Sequence, residues 1–284
     1  MSAPRYLHTR ERGFTLVELV MVIVILGVIS SMVAVIMRGP IDAYFATARR
    51  AALTDLADTV FRRLERDLRK ALPNSIRTPV TVPANQCLEF IPTKTGGRYR
   101  ADNSAAGLSF TTADTSFNML GHNSILPADQ RIVAGDYIAI SNYGPNQPGA
   151  DAYIQDNTSL VTNVGTDFQN ASPLGWETPI TITSKLFPLA SDSKRFHVIP
   201  AAEHVVSYVC SGNKLYRTAN STDFTSSCPT TGAVIATNVA SCFFDNTGTD
   251  LARNALVRIV LQLKDGKNNE AVQLQEEVHV DNTP

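Results

Sequence analysis

The sequence predicts an α+β protein: a long amino-terminal helix, apolar in its first half and amphipathic in its second, packed on an antiparallel β-sheet domain. Three observations carry this expectation. Phe14 to Met37 contains no Lys, Arg or Asp. Apolar residues recur at steps of three and four from Leu53 to Leu72. From about residue 80 the helical period gives way to short β-type runs separated by Gly, Pro, Asn, Asp and Ser.

Residues 1–13 are polar and carry Arg5, Arg10 and Arg12 against Glu11. They lack the apolar core and Ala-x-Ala exit of a secretory signal peptide, so they read as a leader of another kind. Residues 14–37, as a helix rising 1.5 Å per residue, span about 36 Å, enough to cross a hydrocarbon core of about 30 Å. Glu18 interrupts this run. An unpaired carboxylate at mid-bilayer costs roughly 2.5 to 3.5 kcal/mol, so the position calls for a cationic partner. The cationic leader favours a cytoplasmic amino terminus, with everything beyond Arg38 across the membrane.

Gly39 and Pro40 are expected to break or kink the helix as it leaves the membrane, with Gly27 and Ser30-Ser31 as further bend points. Over residues 38–73 the stripe Leu53, Leu56, Val60, Leu64, Leu68 and Leu72 forms one helical face. Interleaved charges such as Asp58 with Arg62 and Glu65 with Arg69 make the remainder a solvated, self-paired face rather than a nucleic-acid or lipid patch. Pro73 and Asn74 end the helix.

Residues 74–284 form the β-rich globular domain. Strands are expected at 87–91, 136–140, 180–183, 196–199, 205–209, 256–263 and 271–280, with hairpins at Ser211-Gly212-Asn213 and Asp265-Gly266. In the last strand Val272, Leu274, Val278 and Val280 share one parity and face the core. Residues 141–178, rich in Asn, Gly, Pro and Asp, read as long surface loops and as the natural seat of any binding role.

The segment Arg12-Gly13-Phe14-Thr15-Leu16-Val17-Glu18 resembles the prepilin motif of type IV pilins and type II secretion pseudopilins. An isolated apolar helix also describes a plain signal anchor. The contiguous motif at the junction of a polar leader and an apolar run is what separates the two. The resemblance implies cleavage after Gly13 by a prepilin peptidase/methyltransferase and methylation of the new amine on Phe14. It also implies pairing of Glu18 with the cationic terminus of a neighbouring subunit during assembly. As partners it implies other pilin subunits, an inner-membrane assembly platform and membrane lipid. It places the chain first in a bacterial inner membrane with a periplasmic domain, then in a fibre at the cell surface. The size of the β domain, the helix over 51–75 and the segments 87–93 and 96–100 resemble minor pilins of the MSHA pilus, which would make the chain a priming or capping subunit. A J-type pseudopilin, or an anchored adhesin binding through loops 141–178, is the alternative.

The net charge of −1, from 25 basic and 26 acidic residues, gives no global field for nucleic acid. No nucleophile-elbow, zincin, P-loop or dinucleotide fingerprint occurs, and His8, His122, His197, His204 and His279 are scattered, so neither an enzyme, a metal site nor a cofactor is expected. Asp245–Asp250 has a calcium-loop look but lacks the downstream Glu, and reads as a turn. Tyr143, Tyr153 and Trp176 suggest a carbohydrate-contacting patch, although scattered packing aromatics are commoner. Cys87, Cys210, Cys228 and Cys242 lack zinc spacings and suit disulfides in an oxidising compartment. Three full pairings are open; Cys210 with Cys228 is preferred because it clips a short loop, leaving Cys87 with Cys242.

Overall fold

The computed structural model describes residues 13–79, 86–102, 104, 106–171, 174–220, 222–225, 228–246, 254–266 and 270–283. The chain divides into two compact units, Met1–Ala51 and Ala52–Pro284.

The first unit holds α1 (Leu16–Ile36) and the opening of α2 (Arg38–Leu68). Apolar on every side, α1 buries none of its residues, the pattern of a helix whose surroundings are lipid or other apolar helices. The expected break is reduced to a single residue, Met37. Pro40 has no N–H to offer the Ile36 carbonyl, so the ladder loses one rung there. It holds on either side, with Met37 N–H on the Val33 carbonyl at 2.9 Å and Ile41 N–H on the Met37 carbonyl at 3.3 Å. At Gly27 and Ser30-Ser31 the helix is continuous, and Ser31 Oγ donates back to the Val28 carbonyl at 2.7 Å.

The second unit is built around the later half of α2, which buries Leu53, Ala57, Val60, Phe61, Leu64 and Leu68. The predicted stripe is present but its edges move: Leu56 is only partly buried, and Leu72 lies past the helix end. The helix stops at Leu68 because the carbonyls of its last turn are taken by tighter bonds from Lys70 and Ala71, and Lys70's own carbonyl by Thr93. Glu65 and Arg69 pair at 2.6 Å as expected, whereas Asp67 reaches Arg217 at 2.8 Å and the Tyr208 hydroxyl at 2.8 Å.

The strands are β1 (Cys87–Phe90), β2 (Thr95–Tyr99), β3 (Asp114–Leu120), β4 (Tyr137–Ala139), β5 (Thr158–Val164), β6 (Phe168–Ala171), β7 (Leu174–Lys185), β8 (Arg195–Ile199), β9 (Val205–Ser211), β10 (Lys214–Asn220), β11 (Ala233–Thr237), β12 (Val239–Asp245), β13 (Asn254–Lys264) and β14 (Ala271–Asp281). They form three antiparallel sheets. Two of them, β1-β9-β10-β11 and β12-β13-β14, share one core with α2. In β13 the buried residues are Val257, Ile259, Leu261 and Leu263, and in β14 the predicted parity holds, with Val278 and Val280 buried and Val272 and Leu274 packed against the core.

The third sheet runs β3-β2-β8-β4-β5-β7-β6, and a further pairing of β3 with β7 closes it into a barrel. Its interior is filled by residues such as Tyr99, Phe117, Met119, Ile138, Ile180, Phe196 and Val198. Gly97 in β2 is demanded by this packing, since a Cβ there would lie 2.8 Å from the Phe196 ring and 3.0 Å from Met119 Sδ. The whole barrel, Thr95 to Ile199, is inserted between β1 and β9, which are hydrogen-bonded neighbours with Phe90 opposite Val206.

Two expectations are overturned. Residues 141–178 are not long surface loops; they contain a 3-10 helix (Ala152–Ile154), β5, β6 and the start of β7. Their Asn and Asp side chains bond backbone inside the fold. Asn142 donates to the Pro73 carbonyl at 2.7 Å and accepts from Ala152 N–H, while Asp156 accepts from Gly149 and Asp151 N–H. The disulfides are Cys87–Cys228 and Cys210–Cys242. Strand parity is the reason. Cys87 stands opposite Val209, so Cys210, one residue on, points to the other face, where it joins the α2 core with Cys242. Cys87 shares its face with Glu89, which is wholly buried and accepts hydrogen bonds from Ser207 Oγ, Cys228 N–H and Arg77 Nε.

Leu64→Ala is expected to lower the unfolding free energy by about 2–5 kcal/mol in chemical denaturation of the full chain, and Leu56→Ala by well under half as much. Peptide mapping without reductant is expected to recover Cys87 with Cys228 and Cys210 with Cys242.

Candidate functional site: the start of the amino-terminal helix

Gly13, Phe14 and Thr15 precede α1 in non-helical backbone. Thr15 is the N-cap, extended at φ −79 and ψ 150, and its hydroxyl oxygen accepts the Glu18 N–H at 3.2 Å. Glu18 therefore occupies the third helical position, where its carboxylate lies beside the unsatisfied amides of the first turn and is favoured by their partial positive charge. Thr15-Leu16-Val17-Glu18 has the Ser/Thr-x-x-Glu spacing of a capping box, a signal that was in the sequence and that the reading of Glu18 as a stranded charge passed over. Since the helix begins at Leu16, Phe14 is not on it.

Phe14 is 83% exposed. A Cβ at Gly13 would meet nothing within 4 Å, and the residue's backbone is not left-handed. Among the described residues, nothing in the fold demands glycine at this position. Gly13, Phe14 and Glu18 are brought together as three neighbours at the exposed start of an unburied helix.

The other singled-out residues are dispersed. Burial, reinforced by Arg195, lowers the basicity of His197 to about 4. His204 is stacked on Phe224 at 4.8 Å and likewise made less basic by burial. His279 is exposed on β14. Tyr153 is buried, its hydroxyl on the Ser75 carbonyl at 2.7 Å and the Arg77 guanidinium 3.3 Å over its ring. Trp176 is 43% exposed at one end of the barrel. With Tyr153 buried, the suggested exposed patch of all three aromatics is not formed. Asn246 bonds Thr78 and the Ile76 carbonyl, and residues 247–250 of the suggested calcium loop lie outside the described residues, as does leader segment 1–12. Cys87, Glu89 and Cys228 converge with ligand atoms within 4.8 Å, but both sulfurs are held in a disulfide.

With this geometry in view, the family model for the prokaryotic N-terminal methylation motif matches residues 8–34. Neither the comparison with curated proteins nor that with solved structures gives a match. The motif supports a type IV pilin-like or pseudopilin subunit, and the amino-terminal helix is long and apolar enough to cross a membrane. The motif implies processing by a prepilin peptidase and assembly with other pilin subunits.

Removing the cap tests the local geometry. Thr15→Ala in lipid nanodiscs is expected to cost about 1 kcal/mol at the helix start, read as a roughly fivefold faster hydrogen exchange of the Glu18 amide.

Proposed function

We propose that the chain is a minor-pilin-like subunit of a type IV pilus of the MSHA kind, resembling the minor pilin MshO, cut between Gly13 and Phe14 and methylated on Phe14. The observation that carries this reading is the contiguity of an exposed Gly13-Phe14 pair, a capped helix start bearing Glu18, and a helix with no buried residue.

Cleavage removes the leader and leaves a cationic amine on Phe14 that methylation preserves. Glu18 pairs with that amine on a neighbouring subunit, which removes an uncompensated charge from an apolar bundle. The two disulfides suit a domain that matures in an oxidising periplasm before the subunit enters a surface fibre. The inserted barrel favours a priming or capping place. A repeating lattice must accommodate that bulk at every subunit, a tip only once. The same features fit a J-type pseudopilin of type II secretion. For the adhesin alternative, the segment 141–178 offers strands and their turns rather than long loops.

Mass spectrometry of the protein isolated from cells is expected to find methylated Phe14 as the first residue. Gly13→Leu is expected to leave the leader attached, seen as a slower band. Glu18→Ala is expected to be cut normally yet to be missing from sheared fibres; its normal incorporation would refute the pairing role.

A further inference from the structure

Cys87, Glu89 and Cys228 form the one trio among the described residues whose ligand atoms, two sulfurs and a carboxylate oxygen, all lie within 4.8 Å of one another. Cys87 and Glu89 stand two apart on β1 and so share a face, and Cys228 reaches them from the segment between β10 and β11. In the oxidised chain the two sulfurs are joined. We propose that the reduced chain holds a zinc ion here, on both thiolates and the Glu89 carboxylate, so that metal and disulfide are alternative occupants of one place. The proposal goes beyond the pilin reading and does not depend on amino-terminal processing.

The geometry and the charge select the ion. Zinc takes thiolate sulfur at about 2.3 Å and carboxylate oxygen at about 2.1 Å, so tetrahedral ligands sharing it stand about 3.6 Å apart for sulfur and oxygen and about 3.8 Å for two sulfurs. Cys228 Sγ is already 3.7 Å from Glu89 Oε1. The sulfur–sulfur separation alone has to be set anew, by side-chain rotation once the covalent bond is gone. Two thiolates and one carboxylate against the Arg77 guanidinium leave an excess of two negative charges at a buried place, which a divalent cation cancels. Sulfur ligands favour zinc over calcium or magnesium, and the oxygen ligand and the double charge favour it over monovalent copper. Three protein ligands leave the fourth tetrahedral position to water.

The carboxylate is oriented before any metal arrives. Glu89 Oε1 accepts from Ser207 Oγ at 2.9 Å and from the Cys228 N–H at 3.2 Å, and Oε2 pairs with Arg77 Nε and Nη2, each at 3.3 Å. Arg77 is itself steadied over the Tyr153 ring. Outer partners of this kind fix the direction of a metal-bound carboxylate. The other cysteine pair lacks them. Cys210 and Cys242 lie in the apolar core shared with α2, and no carboxylate or imidazole completes a trio with them among the described residues. Both are buried, whereas Cys228 is only half-buried, so reductant and metal reach the first pair through it.

Opening the site takes two electrons. A trialkylphosphine breaks the S–S bond, takes oxygen from water to become the phosphine oxide, and leaves a proton on each sulfur; zinc then displaces both protons. The full chain in phosphatidylcholine nanodiscs is treated with the phosphine under argon, titrated with zinc, and alkylated with N-ethylmaleimide for peptide mapping. Zinc is expected to bind with a Kd on the order of 10–100 nM and to slow alkylation of Cys87 and Cys228 about tenfold or more while leaving Cys210 and Cys242 unprotected. Cobalt in its place is expected to show a thiolate-to-metal charge-transfer band. Glu89→Gln is expected to weaken zinc binding about tenfold, and Cys228→Ser to abolish it. The protection pattern requires no variant and stays decisive where a substitution disturbs the fold. No zinc uptake at about ten times that concentration overturns the proposal, as does equal protection of all four cysteines or binding that survives Cys228→Ser.

Discussion

One apolar stripe, Leu53 to Leu68 on α2, is the surface on which the second unit is assembled. Two separate sheets, β1-β9-β10-β11 and β12-β13-β14, contribute to the same core as this stripe. A helix that is polar on its other side gains stability mainly by burying such a stripe. The ion pair of Asp67 with Arg217 and the Tyr208 hydroxyl bond then tie the helix to β9 and β10. The Cys210–Cys242 bridge joins the two sheets inside that core, and Cys87–Cys228 fastens the opposite face of the first, beside buried Glu89.

At the other end of the chain a single residue answers two demands. Glu18 is costly in hydrocarbon and favourable at a helix start. Placing the carboxylate in the first turn, with Thr15 capping its amide, offsets part of its cost within one subunit. The remainder calls for a positive charge. Under the proposed cleavage after Gly13, the new amine on Phe14 supplies it.

The parts of the fold legible in the sequence were those set by a local period. The helical stripe, the hairpin of β13 and β14 and the apolar membrane-length run each repeat along the chain, so neighbours in sequence reveal neighbours in space. Barrel closure does not: β3 meets β7 across more than fifty intervening residues, and nothing in either strand advertises the other. The stretch 141–178 misled because Asn, Asp and Gly serve solvent-facing turns and internal backbone bonding alike, as Asn142 and Asp156 show. Cysteine pairing followed the pleat, a property of register that spacing does not carry. For the amino-terminal site the linear motif was sufficient.

The barrel's place in the chain has an evolutionary consequence. It departs after β1 and returns before β9, and Phe90 and Val206 face each other across a shared ladder. The passage between them is thus a cassette whose two ends already touch. Descent can enlarge it, swap it or trim it to a turn while the ladder over α2 survives, the penalty being the uncovering of Leu72 and Ile91, which share a small core with Ala139 and Tyr153. A lineage can in this way change what its subunit displays while inheriting its means of attachment unaltered.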